Sequence, residues 1–378
     1  MREFKVNNLI KLRLIDGKTI LFVNNREFKQ CKILLLNLPI MVNLVQKVLS
    51  IDEVAESLDN SMESEANFLL PEEEFIAHCS NVQAWFENQY NTALLHRTLA
   101  FPLLRALSEE GDLLAKERFK EEIAIRYKYG NKAVQTFLYV EGYLDYLTYN
   151  EKFSGILAPE DAPFMEEILD SMRDYMLIPD LDLIIEDERG NGIFFCVKNG
   201  RIKELELDIE NKLRQIPSQL EKLESLERLH LYIKSRSDNI FSEKFSAKSV
   251  KYLTISCNIM GTTIPDLFHY FPNLVRLKIV GFHSKPVIKF ETSFTRLLHL
   301  ESLYLVHVNI EKLPDTILNL EKLRVLILRD TSIRSLSVTI IESIKSLTTL
   351  KLQGNSKLEL TLTEVKKLKK KINFFKYY

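Results

Sequence analysis

A leucine pattern returns at a nearly constant period through the second half of this chain, and it constrains the fold more than any other feature. The pair Leu-x-Leu or Leu-x-Ile stands at Leu205/Leu207, Leu229/Leu231, Leu253/Ile255, Leu277/Ile279, Leu303/Leu305, Leu326/Leu328 and Leu350/Leu352, with first leucines 24, 24, 24, 26, 23 and 24 residues apart. An apolar residue lies three places before each pair: Ile202, Leu226, Val250, Leu274, Leu300, Leu323 and Leu347. Alternate residues of a short strand point to opposite faces, so both leucines of a pair enter one core while the residue between them faces out. A single turn of this kind cannot cover its own apolar stripe, so neighbouring turns must stack.

After each strand the chain has to turn inward. Asn258, Thr331 and Asn355 fall where a side chain can bond the backbone of adjacent turns, while Glu210, Lys234, Phe282 and Val308 hold the matching place elsewhere. Ile216-Pro217, Ile264-Pro265 and Leu313-Pro314 precede patterns such as Leu220, Leu223 and Leu226, or Ile317, Leu320 and Leu323, which read as short helices or 3₁₀ turns behind the sheet. The open ends of a stack need covers. In front, Gly192 to Val197 leads through Asn199-Gly200 into Arg201 to Leu205, and Asn-Gly between apolar runs predicts a hairpin. At the rear, Leu362 to Leu368 predicts a final helix, Ile372, Phe374 and Phe375 an eighth strand, and the nearby lysines guard that edge.

This half of the chain resembles the leucine-rich-repeat family. The resemblance implies a C-terminal solenoid of seven to eight turns, with a curved parallel sheet on the concave side and irregular helices on the convex side. The expected fold class is therefore α/β, with the solenoid preceded by a mostly α-helical domain that opens on a β-hairpin. We divide the chain into residues 1–158 (hairpin plus helical domain), 159–198 (connecting helix and capping hairpin) and 199–378 (repeats).

In the first half, Leu9 to Ile15, the turn Asp16-Gly17 and Lys18 to Val23 predict the opening hairpin. Helix starts are expected at Ser50-Ile51-Asp52-Glu53 and at Pro71-Glu72-Glu73-Glu74. Helices should then pass through Trp85, Leu103 to Leu107, Leu113 to Tyr127 and Lys132 to Leu147, with Pro102 breaking or kinking one of them. Met165 to Tyr175 should be helical, ended by Ile178-Pro179-Asp180, and Leu181 to Ile185 fits a strand. The segments Asp16 to Leu21, Cys31 to Asn37, His78 to Trp85 and Leu94-Leu95-His96-Arg97 resemble a domain found ahead of leucine-rich repeats in archaeal proteins, a resemblance that implies no activity.

Composition excludes several classes. No apolar run reaches the ~18 to 20 residues of a membrane span, and Met1-Arg2-Glu3-Phe4-Lys5 lacks the apolar core of a secretion signal. Cys31, Cys79, Cys196 and Cys257 form no CxxC pair, which suits a reducing, cytoplasmic setting and argues against a zinc ribbon. His78, Cys79 and His96 are the one cluster with metal or nucleophile chemistry, but adjacent residues of a helix diverge by roughly 100° and do not converge on an ion. Asp180, Asp182 and Lys198 hint at a nuclease arrangement, yet Cys196-Val197 stands where an acid is needed. No phosphate-loop, dinucleotide, zinc-protease or serine-hydrolase motif is present, and neither a metal nor a cofactor is expected.

Charge divides the chain: residues 1–198 hold 21 Lys+Arg against 33 Asp+Glu, and residues 199–378 hold 30 against 19. The best reading is a non-enzymatic adaptor or scaffold that binds a protein on the concave face. Its outward residues should be Glu204, Glu206 and Asp208; Arg228, His230 and Tyr232; Tyr252, Thr254 and Ser256; Arg276 and Lys278; Ser302, Tyr304 and His307; Val325, Ile327 and Arg329; and Thr349, Lys351 and Gln353. An acidic first strand beside a basic, aromatic middle suits a partner of mixed charge. An alternative makes the helical half an enzyme or regulator acting on a target the repeats recruit, with Cys79 as nucleophile; nucleic-acid binding by the basic half is a third reading.

Overall fold

The computed structural model describes residues 2–29, 70–95, 97–172, 181–183, 193–209, 213, 215–233, 246–257, 263–264, 268–282, 285–288 and 293–377. Expectations at Cys31, Ser50 to Glu53, His96, Ile178 to Asp180, Glu210, Lys234, Asn258 and Pro265 lie outside the described residues. The chain gathers into two compact units, residues 1–127 with 138–151, and residues 128–137 with 152–378.

The first unit opens on a four-stranded antiparallel sheet: β1 (Arg2–Lys5), β2 (Ile10–Ile15), β3 (Lys18–Val23) and β4 (Arg26–Glu27), paired in chain order. The sequence predicts only the central hairpin. Two-residue turns link β2 to β3 and β3 to β4, with φ of 50° and 76° at Asp16 and Gly17 and 45° and 63° at Asn24 and Asn25, the left-handed pair that follows strand twist. Ile10, Leu12, Leu21 and Val23 are buried on one face, and helix α1 (Pro71–Glu87) lays Phe75, His78, Cys79, Val82 and Trp85 against it. That spacing is one stripe of a 3.6-residue helix. Pro71 opens the helix, and Glu73 reaches back to the Leu70 amide at 3.0 Å.

Helices α2 (Arg97–Glu109) and α3 (Leu113–Tyr129) follow. Pro102 does not break α2; it removes one amide from an otherwise continuous helix. The expected helix from Lys132 to Leu147 is interrupted: α4 covers Lys132–Val140, and a 3₁₀ turn at Tyr143–Tyr146 begins after Gly142, whose φ of 69° no continuing helix accepts. The interruption swings Tyr143 and Tyr146 edge-on to Phe119, with ring centres at 5.8 and 5.0 Å, and Phe101 completes the cluster.

The second unit continues with α5 (Tyr149–Ile156) and α6 (Ala162–Met172), then a ten-stranded sheet. Strand β5 (Leu181–Leu183) pairs parallel with β6 (Ile193–Lys198), which turns through Asn199-Gly200 into antiparallel β7 (Arg201–Ile209). Gly200 needs its freedom: its φ is 76°, its carbonyl accepts the Ala158 amide at 2.6 Å, and a Cβ there would sit 3.3 Å from Ile156 O and Ala158 N. Asp161, fully buried, accepts the Ile202 amide at 2.7 Å and Arg201 Nε at 2.9 Å, fixing the start of β7; burial pushes its carboxyl above the ordinary range against the pull of those donors.

From β7 onward every step is parallel: β8 (Arg228–Ile233), β9 (Tyr252–Cys257), β11 (Arg276–Gly281), β13 (Ser302–Val306), β14 (Val325–Arg329), β15 (Thr349–Lys351) and β16 (Phe374–Lys376), with the short pair β10 (Thr263–Ile264) and β12 (Val287–Ile288) behind. The register aligns Leu205, Leu229, Leu253, Leu277, Leu303, Leu326, Leu350 and Phe375 across the sheet. The seven leucines of that row are each at most 2% exposed, so the row is a shared core. Behind the sheet lie 3₁₀ turns at Ser218–Lys222, Phe268–Tyr270, Ser293–Thr295 and Asp315–Asn319, then α7 (Val338–Ser343) and α8 (Leu362–Lys371). Asn355 is a buried bracket between coils, donating to Leu328 O and Leu352 O at 2.8 Å and accepting from the Thr331 amide at 2.8 Å and its hydroxyl at 2.7 Å. At the far end α8 starts on reciprocal Thr361 and Glu364 bonds and buries Leu368 and Ile372.

Candidate functional site

The strand register converts the outward residues into rows. The first row runs Glu204, Arg228, Tyr252, Arg276, Ser302, Val325, Thr349, Phe374; the second Glu206, His230, Thr254, Lys278, Tyr304, Ile327, Lys351, Lys376. A third holds Asp208, Tyr232, Ser256, Val280, Val306 and Arg329. Thirteen of the fifteen partner-binding residues expected from sequence thus lie on one sheet face, those other than His307 and Gln353. His307 and Gln353 follow their strands; His307 is a left-handed corner with φ of 52°, its amide bonded to Arg329 O at 2.8 Å.

Within this face the two ends differ. Arg228 bonds Glu204 at 2.5 Å, and His230 Nδ1 lies 3.2 Å from Glu206 Oε2 while its Nε2 lies 2.8 Å from Ser256 Oγ. Glu206, Asp208 and Ser256 are only 3–4% exposed, Glu206 lying between Phe194 on β6 and His230 on β8. The Ser256, His230, Glu206 chain has the connectivity of a nucleophile, base and orienting acid, but the serine hydroxyl is shut from solvent, so the chain fixes His230 and offers no nucleophile. Arginine and tyrosine then alternate: Arg228 lies 5.1 Å from the Tyr252 ring centre, and Arg276 lies 5.7 Å from Tyr252 and 5.8 Å from Tyr304. A shallow cavity of about 220 Å³ lies among Glu206, Arg228, His230, Tyr252, Arg276 and Lys278.

The His78 and Cys79 pair gathers no such chemistry. Both are buried; His78 Nε2 lies 3.3 Å from Glu74 Oε1, and burial lowers the imidazole below its ordinary value while Glu74 partly restores it. Burial pushes the Cys79 thiol up to about 11, the opposite of an activated nucleophile. Among the described residues no three His, Cys, Asp or Glu side chains gather as a metal site, and no described helix is long and apolar enough to cross a membrane.

Sequence reasoning passed over a second bracket between coils. Ser249 Oγ donates to Leu223 O, Asn273 Nδ2 to Lys248 O and Ser346 Oγ to Leu323 O, each at 2.8 Å. The signal was available, since each of these residues stands four places before a first leucine.

No protein-family model matches the chain, and no curated protein matches it. Solved structures do. A leucine-rich-repeat protein of Leptospira interrogans is 23% identical over 45% of this chain and 42% of its own, with a TM-score of 0.33. The leucine-rich-repeat domain of the type III effector XopL is 22% identical over 41% of this chain and 53% of its own, TM-score 0.30. The BIR2 ectodomain of Arabidopsis thaliana is 17% identical over 51% of this chain and 93% of its own, TM-score 0.27. The residues from β7 onward build a leucine-rich-repeat fold. That statement rests on the aligned leucine row and the parallel ladder; the chain spans about half or less of the first two of these structures, and such likenesses carry no function.

Proposed function

We propose that the outward face of the leucine-rich repeat docks a protein partner and that the chain is a non-enzymatic adaptor or scaffold. The observation that carries this reading is the alternating Arg228, Tyr252, Arg276 and Tyr304 ladder, since arginine and tyrosine are the usual energetic anchors of interfaces. Stacked side chains have already lost much of the rotamer freedom that binding would otherwise remove. The buried thiols of Cys79, Cys196 and Cys257 fit a reducing compartment and give no support to a catalytic cysteine. The archaeal resemblance of the first half brings no activity to this reading.

The test is affinity capture from native extract with Arg276→Glu combined with Lys278→Glu. Capture of the native partner should weaken at least tenfold with the melting temperature unchanged. Capture that survives simultaneous replacement of Arg276, Lys278, Tyr304 and Arg329 by alanine contradicts the reading.

A further inference from the structure

The two signs of charge on the repeat face are not equally available. On β7, Glu204 is held by Arg228 and one oxygen of Glu206 by His230, while Glu206 and Asp208 are themselves shut from solvent, so the acidic strand offers little to a partner. Farther along, no carboxylate among the described residues lies within ion-pairing distance of Arg276, Lys278, Arg329 or Lys351. What remains exposed for a partner on this face is mainly positive, which narrows the mixed-charge partner suggested by the bare sequence.

The register gives these cations a spacing. Lys278, Tyr304, Ile327 and Lys351 occupy one row on four consecutive strands, with Tyr304 and Ile327 half-buried between the two lysines. Neighbouring strands lie ~4.8 Å apart, so the lysine positions are separated by three steps, or ~14 Å. An extended peptide turns residues i, i+2 and i+4 to the same side, and at ~3.3 Å per residue i to i+4 spans ~13 Å. Arg276, stacked on Tyr252 and Tyr304, adds a fixed guanidinium beside Lys278, and Lys351 lies 5.1 Å from the Phe374 ring centre.

We infer that the partner presents an extended acidic segment lying across β11, β13, β14 and β15, with Asp or Glu at i and i+4 and an apolar residue at i+2. Its carboxylates meet Lys278 and Lys351, and its apolar side chain covers Tyr304 and Ile327. Exclusion of water by that side chain strengthens both flanking charge pairs. This inference rests on the protein-docking reading and names the chemistry of its ligand.

The probe is a library of random heptapeptides displayed and panned on the full chain, with Lys278→Gln/Lys351→Gln and Lys278→Glu/Lys351→Glu as counter-targets of unchanged melting temperature. Selected peptides should be enriched in acid, apolar, acid at alternate positions. They should bind the Gln variant several-fold and the Glu variant at least tenfold more weakly. Selected peptides without that pattern, or indifferent to both variants, overturn the acidic-segment inference and leave protein docking in place. If the library yields no binder that depends on the face, both readings fall, and a uridine 20-mer that binds with steep salt dependence and is lost in the Glu variant assigns the face to RNA.

Discussion

Coils of the repeat hold one another through residues about 24 positions apart, whereas the first unit closes its core with rings drawn from separated segments, Phe101, Phe119, Tyr143 and Tyr146. In the repeat each Leu has the same job as the Leu of the next coil, so damage should spread to nearest neighbours. In the first unit no residue repeats another, and the one Phe119 ring joins its own helix to α2 and to the 3₁₀ turn. The difference separates a surface that varies residue by residue on a uniform scaffold from a core that has no interchangeable parts.

The largest effect should test that contrast on the irregular side. Phe119→Ala removes a fully buried ring packed on three others and should cost about 3 to 5 kcal/mol by denaturant titration, with exchange protection lost across α1 to α3 together. Leu326→Ala should cost about 2 to 5 kcal/mol, yet its loss of protection should centre on β13, β14 and β15. If both variants lose protection over equally wide regions, the contrast is broken. Asn355→Ala sharpens it further, because the substitution strands the Leu328 and Leu352 carbonyls and the Thr331 amide; about 1 to 3 kcal/mol is expected, with added exchange at the Thr331 amide.

The smallest effect is a pH dependence confined to the first unit. The folded His78 imidazole is held below its ordinary 6.5, so below that pH the unfolded chain binds more protons, and stability falls as the solution is acidified through the unfolded value toward the folded one. The melting temperature should drop between pH 7.5 and 5.5, and His78→Gln should flatten that drop. An unchanged slope in the variant would assign the loss to other groups.

The repeat was legible because its period is carried by leucines that any coil needs, and Asn355 was legible because a buried turn must bond its backbone, whereas the Thr331 hydroxyl bonds the Asn355 side chain of the next coil. Strands β1 and β4 were not: Arg2, Glu3, Lys5, Arg26 and Glu27 are exposed and show no alternation, so only pairing with β2 and β3 defines them. The break at Gly142 was hidden because apolar spacing on either side continues a helical period, and only the left-handed φ ends it. At the candidate site, sequence placed the outward residues of the strands, with His307 and Gln353 as exceptions beyond the strand ends, and missed which are already answered. Arg228 and Arg276 occupy equivalent places two coils apart, but only the first has a glutamate beside it in the register.

The register of the ladder is the claim on which fold and site both depend, and a distance measures it directly. Nitroxide labels at Arg228 and Thr349 occupy one row five strand steps apart, so double electron–electron resonance should give a narrow distribution centred near ~24 Å. A broad distribution, or one centred beyond ~35 Å, would place those residues on separate elements and remove the shared face.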